Sequence, residues 1–182
     1  SRTDLDFLIQ VGQLVQKSGC DRFSLADTVG CLTPTQTKKL VSQIVSELDI
    51  PVHVHCHNDF GMATANALSA LESGAQCVDV AVNGLGERCG LPPLAEVVTA
   101  LTNIYKINGN WDLGLIPELT DMVASFSKLD SNANQPIIGK NAFTHKAGLH
   151  VKAMVKEPKS YEAISPESLH RKRHFVIDKF TG

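Results

Sequence analysis

Apolar residues recur at helical spacing from the start of the chain. Phe7, Leu8, Val11, Leu14 and Val15 line one face of residues 4–18, Asp4 offers an N-cap, and Ser18-Gly19 ends the run. A short apolar segment, Arg22 to Ala26, follows and closes on Asp27-Thr28-Val29-Gly30. Thr33-Pro34 opens a second amphipathic helix with Leu40, Val41, Ile44, Val45 and Leu48 on one side; proline suits its first position. The pattern then turns to a buried strand, Val52 to His57. An Ala- and Leu-rich helix from about Gly61 to Ser73 stops at Gly74. A third strand, Cys77 to Val82, leads into the loop Asn83–Gly90, and a fourth helix near Pro92-Pro93 carries Val97, Val98, Leu101 and Ile104.

Strand starts lie roughly 25 to 30 residues apart, the length of one βα unit. This rhythm predicts a parallel α/β fold. The polar clusters Asp27-Thr28, His55-His57-Asn58 and Asn83–Arg88 all fall at C-terminal strand ends. Both a (β/α)8 barrel and a doubly wound sheet hold ligands there, so the clustering leaves both open. After about residue 108 the pattern changes. Asn108-Gly-Asn110 is a turn signal, and Trp111 to Phe126 reads as loop then helix. Asn132–Lys140 is loop-like, Pro158 and Pro166 bound a linker, and Phe175 to Ile177 is strand-like. This part reads as a satellite region.

The chain has 182 residues, 43% hydrophobic and 20% charged, with a net charge of −2. That is enough for a packed core and gives no electrostatic footprint for nucleic acid. No apolar run reaches membrane-spanning length and no stretch reads as a secretory leader. The basic run Arg171–His174 reads as a solvated face. Five cysteines are scattered without a CxxC pair, which predicts buried free thiols in a reducing, cytoplasmic setting.

Residues two apart on a strand share a face, so His53, His55 and His57 are expected to project together, with Cys56 facing away. Imidazoles converging at a strand end suit a divalent metal, which then wants a carboxylate from elsewhere. Asp27 is the local candidate. It reads more readily as a cap for the helix at Thr33, or as an acceptor that orients a ligand, than as a direct ligand. Gly84-Leu-Gly86-Glu87-Arg88-Cys89-Gly90 lacks the dinucleotide spacing. Its Glu-Arg pair is expected to be an ion pair that fixes loop shape. His145 and His150, beside Lys146 and Lys152, read on their own as structural residues.

Five motifs in order resemble the family of 2-isopropylmalate, homocitrate and citramalate synthases, metal-dependent Claisen-condensing TIM barrels. Arg2-Thr3-Asp4 with Phe7-Leu8 resembles the helix after strand five, and Asp27-Thr28-Val29-Gly30 the strand-six motif. His55-Cys56-His57-Asn58-Asp59-Phe60-Gly61 resembles strand seven, and Asn83-Gly84-Leu85-Gly86-Glu87-Arg88 the loop after strand eight. Phe143-Thr144-His145-Lys146-Ala147-Gly148-Leu149-His150 is similar to a segment after the barrel. The resemblance implies the C-terminal part of a (β/α)8 TIM barrel in residues 1–108, followed by a small, mostly helical, truncated subdomain in 109–182. It implies His55 and His57 as ligands of a divalent metal ion (Mg, Mn or Zn), with His53 packing or in a supporting role. Thr28 would bind substrate, and His145, assisted by Tyr161, would be catalytic. The implied reaction is acyl transfer from acetyl-CoA to a 2-oxo acid. The implied assembly is a homodimer in which His145 acts in trans, without nucleic-acid or membrane partners.

Leu91 stands where many isopropylmalate synthases carry a metal-approaching Asn, and Leu91-Pro92-Pro93-Leu94 resembles the homocitrate synthase arrangement. Condensation of 2-oxoglutarate to homocitrate is therefore favoured over 2-isopropylmalate or citramalate synthesis. The chain begins at Ser1 without methionine and ends on Lys179-Phe-Thr-Gly182. Strands one to five, with the family's carboxylate ligand and catalytic arginine, have no counterpart. The expectation is a fragment or a non-catalytic complementing half of a split enzyme, inactive alone. A metal-dependent hydrolase is the rival enzyme class.

Overall fold

Asp4 caps the first helix as its position predicts: Oδ1 accepts from the Phe7 N–H at 3.1 Å, and α1 runs Leu5–Lys17. The computed structural model describes residues 2–176. The chain divides into two compact units, Ser1–Val97 and Val98–Gly182.

In the first unit α1 is followed by β1 (Phe23–Asp27), α2 (Pro34–Glu47), β2 (Val52–Cys56), α3 (Ala63–Glu72) and β3 (Cys77–Val78); α4 (Leu94–Asn103) then begins. The three strands form one parallel sheet in the order β1-β2-β3, with Ser24 opposite His53, Ala26 opposite His55, and His53 opposite Cys77. Alternation divides the sheet's faces. Phe23, Leu25, Val52, Val54 and Cys56 are buried with Val41, Ile44 and Leu48 of the α2 region and with Ala63 and Ala70 of α3. Each large aliphatic side chain buried this way contributes about 1.5–3 kcal/mol. The other face carries Ser24, Ala26, His53 and His55. Helix α2 starts on a reciprocal capping box: Thr33 Oγ1 accepts from Gln36 N–H, and Gln36 Oε1 accepts from Thr33 N–H at 2.9 Å.

β3 is shorter than the sequence predicts. Only Cys77 and Val78 pair with β2; Ala81 makes a lone bridge to Pro93, and Val82–Gly84 is a 3-10 turn. Asn83 (φ 59) and Gly84 (φ 70) adopt left-handed backbone, which curls the chain out of the ladder. The loop folds back through Leu91 N–H to Gly84 O (3.1 Å) and Asn58 N–H to Gly90 O (2.9 Å). Gly90 has φ +83, and a Cβ there would lie 1.8 Å from Gly84 O, so only glycine fits.

The second unit contains a 3-10 turn at Leu113–Leu115, α5 (Ile116–Ser127), β4 (Thr144–His145), α6 (Gly148–Lys156), 3-10 turns at Pro158–Ser160 and Pro166–Leu169, and β5 (His174–Phe175). β4 and β5 pair in parallel. Ile138, Phe143, Met154 and Leu169 are buried in it. The expected strand reaches Phe175; Ile177 lies outside the described residues. The basic run is not a free solvated face. Arg173 pairs with Glu162 (2.8 Å) and Glu167 (2.8 Å), and Arg171 donates to the Ile137 and Gly139 carbonyls. All five cysteines are free, but only Cys56 is buried; Cys20, Cys31 and Cys89 are exposed. Among the described residues no helix is long and apolar enough to cross a membrane.

Candidate active site

The histidines of β2 stand on the face that the core does not use. His53 Nδ1 lies 2.9 Å from Ser24 Oγ across the β1 register. Its Nε2 is 2.9 Å from Asp79 Oδ1, an ion-pair distance reached obliquely rather than along a straight hydrogen bond. His55 Nδ1 lies 2.6 Å from the other Asp79 oxygen, Oδ2. His57, just past the strand, places Nδ1 3.3 Å from the Asp27 carbonyl. The rings of His55 and His57 meet edge to face with centroids 4.9 Å apart.

These contacts set the ring nitrogens. A carboxylate and a carbonyl only accept, so each engaged Nδ1 carries the proton and each Nε2 keeps its lone pair. The hydrogen bonds that hold these two rings are made through Nδ1, which leaves Nε2 as the donor atom of each. That donor arrangement fits a metal ion. It is also incomplete: no group of three or more His, Cys, Asp or Glu that could hold a metal occurs among the described residues. Burial pushes the Asp79 carboxyl up, but the hydrogen bonds and charge from His55 and His53 outweigh it and hold Asp79 below its ordinary value.

Asp27, the carboxylate expected nearby, belongs to the other face. It is buried, and its Oδ2 accepts from Leu32 N–H at 2.8 Å, fixing the turn into α2. Only its backbone carbonyl reaches the histidines. Asp79 is the carboxylate that sequence reasoning missed. The alternation from Cys77 already put it on the histidine face, since it sits two residues on.

The loop ion pair also differs from expectation. Arg88 pairs with Asp59 rather than Glu87: Nε donates to Asp59 Oδ1 at 2.7 Å and Nη2 to Oδ2 at 2.9 Å. Nη2 also donates to the Thr28 carbonyl at 2.7 Å. This clamp ties together the three strand-end loops of the sheet. Gly30 is part of it, because a Cβ there would lie 2.5 Å from Asp59 Oδ2. Thr28 itself is exposed at the end of β1. Asn58 Oδ1 accepts from Ala63 N–H at 3.0 Å and so caps α3. The side chain of Leu91 offers no ligating atom.

In the second unit, His145 and Tyr161 line one cavity of about 250 Å³ with Phe143, Glu162 and Ile164. His145 Nε2 is 3.8 Å from Glu162 Oε1. The Tyr161 ring stacks on His150 with centroids 4.0 Å apart. Glu162, nearly buried and paired with Arg173, is a second acidic residue that sequence reasoning did not single out.

Residues 1–123 match the HMGL-like family, and residues 137–182 match the homocitrate synthase post-HMGL domain-like family. The chain is 41% identical over its whole length to homocitrate synthase AksA of Methanopyrus kandleri, covering 46% of that protein. It is 42% identical to a probable 2-isopropylmalate synthase of the same organism, covering 36% of it. It is also 44% identical to the homocitrate synthase of Sulfurisphaera tokodaii, covering 40% of it. The chain thus spans less than half the length of these relatives. Among solved structures, a variant of the carboxyl transferase domain of Rhizobium etli pyruvate carboxylase, determined with pyruvate, superposes with a TM-score of 0.62 at 25% identity. The match covers 69% of this chain and 21% of that one. Parallel βα units with paired histidines at a strand end, and sequence similarity running the full length of the chain, have one account: this chain belongs to the HMGL-like family.

Proposed function

We propose that the protein carrying this chain is an acyltransferase that condenses acetyl-CoA with a 2-oxo acid, 2-oxoglutarate giving homocitrate, and then hydrolyses the thioester. The observation that carries this reading is the His55–His57 pair, each with Nδ1 anchored and Nε2 left as a lone-pair donor. The relatives named homocitrate and 2-isopropylmalate synthase support the reaction class. His55 and His57 hold a divalent ion, Mg, Mn or Zn, whose chemistry is Lewis-acid polarisation of a 2-oxo group. Thr28, at the end of β1, hydrogen-bonds the substrate. His145, in its cavity with Tyr161, takes part in the proton transfers. A proton leaves the acetyl methyl group, the resulting carbon nucleophile adds to the 2-oxo carbon, and water releases CoA as the free thiol. In this reading His145 comes from the partner of a homodimer, and the enzyme works in the cytoplasm in lysine or leucine biosynthesis.

Leu91 favours 2-oxoglutarate over the 2-isopropylmalate alternative, because an apolar side chain replaces an Asn expected to approach the metal. The test is release of free CoA from acetyl-CoA by the full-length protein, with each 2-oxo acid in turn, with and without a chelator. The expected result is metal-dependent release, fastest with 2-oxoglutarate. Preference for 2-oxoisovalerate or pyruvate would move the assignment to 2-isopropylmalate or citramalate synthesis. Release without any 2-oxo acid would overturn the synthase reading in favour of a hydrolase. Activity that appears only on mixing with a second chain would identify a complementing subunit.

A further inference from the structure

Asp79 has both carboxylate oxygens engaged by imidazoles of the neighbouring strand, Oδ1 by His53 at 2.9 Å and Oδ2 by His55 at 2.6 Å. His53 is in turn held from β1 by Ser24, 2.9 Å from its Nδ1. The four side chains cross the whole sheet: Ser24 before the end of β1, His53 and His55 on β2, Asp79 just past β3. Protons run through this row in one sense. Asp79 Oδ2 accepts from His55 Nδ1–H. His53 Nε2 faces Oδ1 at 2.9 Å, obliquely rather than in a straight hydrogen bond, with its proton toward a carboxylate oxygen that offers only lone pairs. His53 Nδ1 then accepts from the Ser24 hydroxyl, and His55 Nε2 keeps its lone pair.

We propose that Asp79 is a positioning residue for His55: it fixes the ring as the Nδ1–H tautomer with Nε2 as the donor atom, and His53 with Ser24 holds Asp79 in place. The inference rests on His55 being a metal ligand, as argued above. A carboxylate behind a metal-bound histidine fixes ring orientation and raises ligand basicity. His53 thereby gains a role that a strand position facing away from the core does not itself require. Its imidazole gives the Asp79 carboxylate a second contact beside the one from His55.

Two readouts other than turnover test this on the full-length protein. Nitrogen NMR of the metal-free protein reports the His55 tautomer, and chelator competition gives the dissociation constant for Zn2+. The wild-type protein is expected to show His55 protonated on Nδ1. Asp79→Asn keeps an acceptor oxygen for His55, so the tautomer should persist and affinity should fall by less than about tenfold. Asp79→Ala should lose the tautomer, with affinity falling about 10–100-fold. His53→Ala leaves the His55–Asp79 bond and should fall between the wild type and Asp79→Ala. A metal-free wild-type His55 protonated on Nε2 overturns the proposal. So does equal loss in Asp79→Asn and Asp79→Ala, which would make Asp79 a direct ligand, or unchanged affinity in a folded Asp79→Ala protein. Should no 2-oxo acid support condensation, the synthase reading fails while the tautomer and Zn2+ results still decide this one.

Discussion

Cys56 sits between two candidate ligands in sequence yet shares none of their chemistry. Burial, reinforced by the charges of Asp27 and Asp79, pushes its thiol up to about 12. At pH 8 only roughly one molecule in ten thousand would carry the thiolate, so alkylation of the native protein should modify exposed Cys20 and spare Cys56. Peptide mapping before and after denaturation checks this, and labelling of both at one rate would contradict it. Glu96 gives a pH test. Burial raises its carboxyl above the ordinary value, against the opposing hydrogen bond donated by Thr64 Oγ1 at 2.6 Å. A folded value above the unfolded one means stability present below the unfolded pKa and lost as pH rises through the folded one. Glu96→Gln, which keeps an acceptor for Thr64, should match the wild type in melting temperature near pH 4 and exceed it at pH 7. A variant less stable at pH 7 would refute the assignment. Single residues were legible where spacing alone decided them: alternation put Cys56 and the histidines on opposite faces. The Arg88–Asp59 clamp joins residues far apart in sequence, and no local pattern announces it.

Among the elements, α2 shows local signals at their most direct. Thr33-Pro34 and Gln36 start the helix where the sequence places it, through two reciprocal bonds. Thr33→Ala removes the acceptor for Gln36 N–H and should cost about 1 kcal/mol, seen as a lower urea midpoint at unchanged slope. A midpoint equal to the wild type would mean that solvent satisfies the helix end equally well. β3 shows the opposite case. Its apolar run reads as six residues of strand, but pairing ends after Val78 because Asn83 and Gly84 curl the loop back toward Gly90. The turn that shortens the strand is set by a close approach to Gly84 O, which hydrophobic pattern does not encode. Asp79, the residue leaving the end of the short strand, keeps the face that alternation from Cys77 gives it.

For the whole molecule, two imidazoles without a carboxylate ligand among the described residues are too few for tight metal binding, so residues 1–182 alone should bind metal weakly and lack condensation activity. The trans role proposed for His145 is tested by mixing two inactive full-length variants, His145→Ala and His57→Ala. Hybrid dimers should recover part of the activity, and no recovery after confirmed subunit exchange would exclude the trans arrangement. The alternation along β2 has a further consequence for how such a protein is kept correct. A slip of one residue against β1 would turn Val52, Val54 and Cys56 outward and drive His53 and His55 into the core. The misaligned chain would be sticky and unstable, and cellular quality control would remove it without ever sensing catalysis. Screening for solubility alone should therefore conserve the aim of these imidazoles, because folding fidelity and chemistry are decided by the same register.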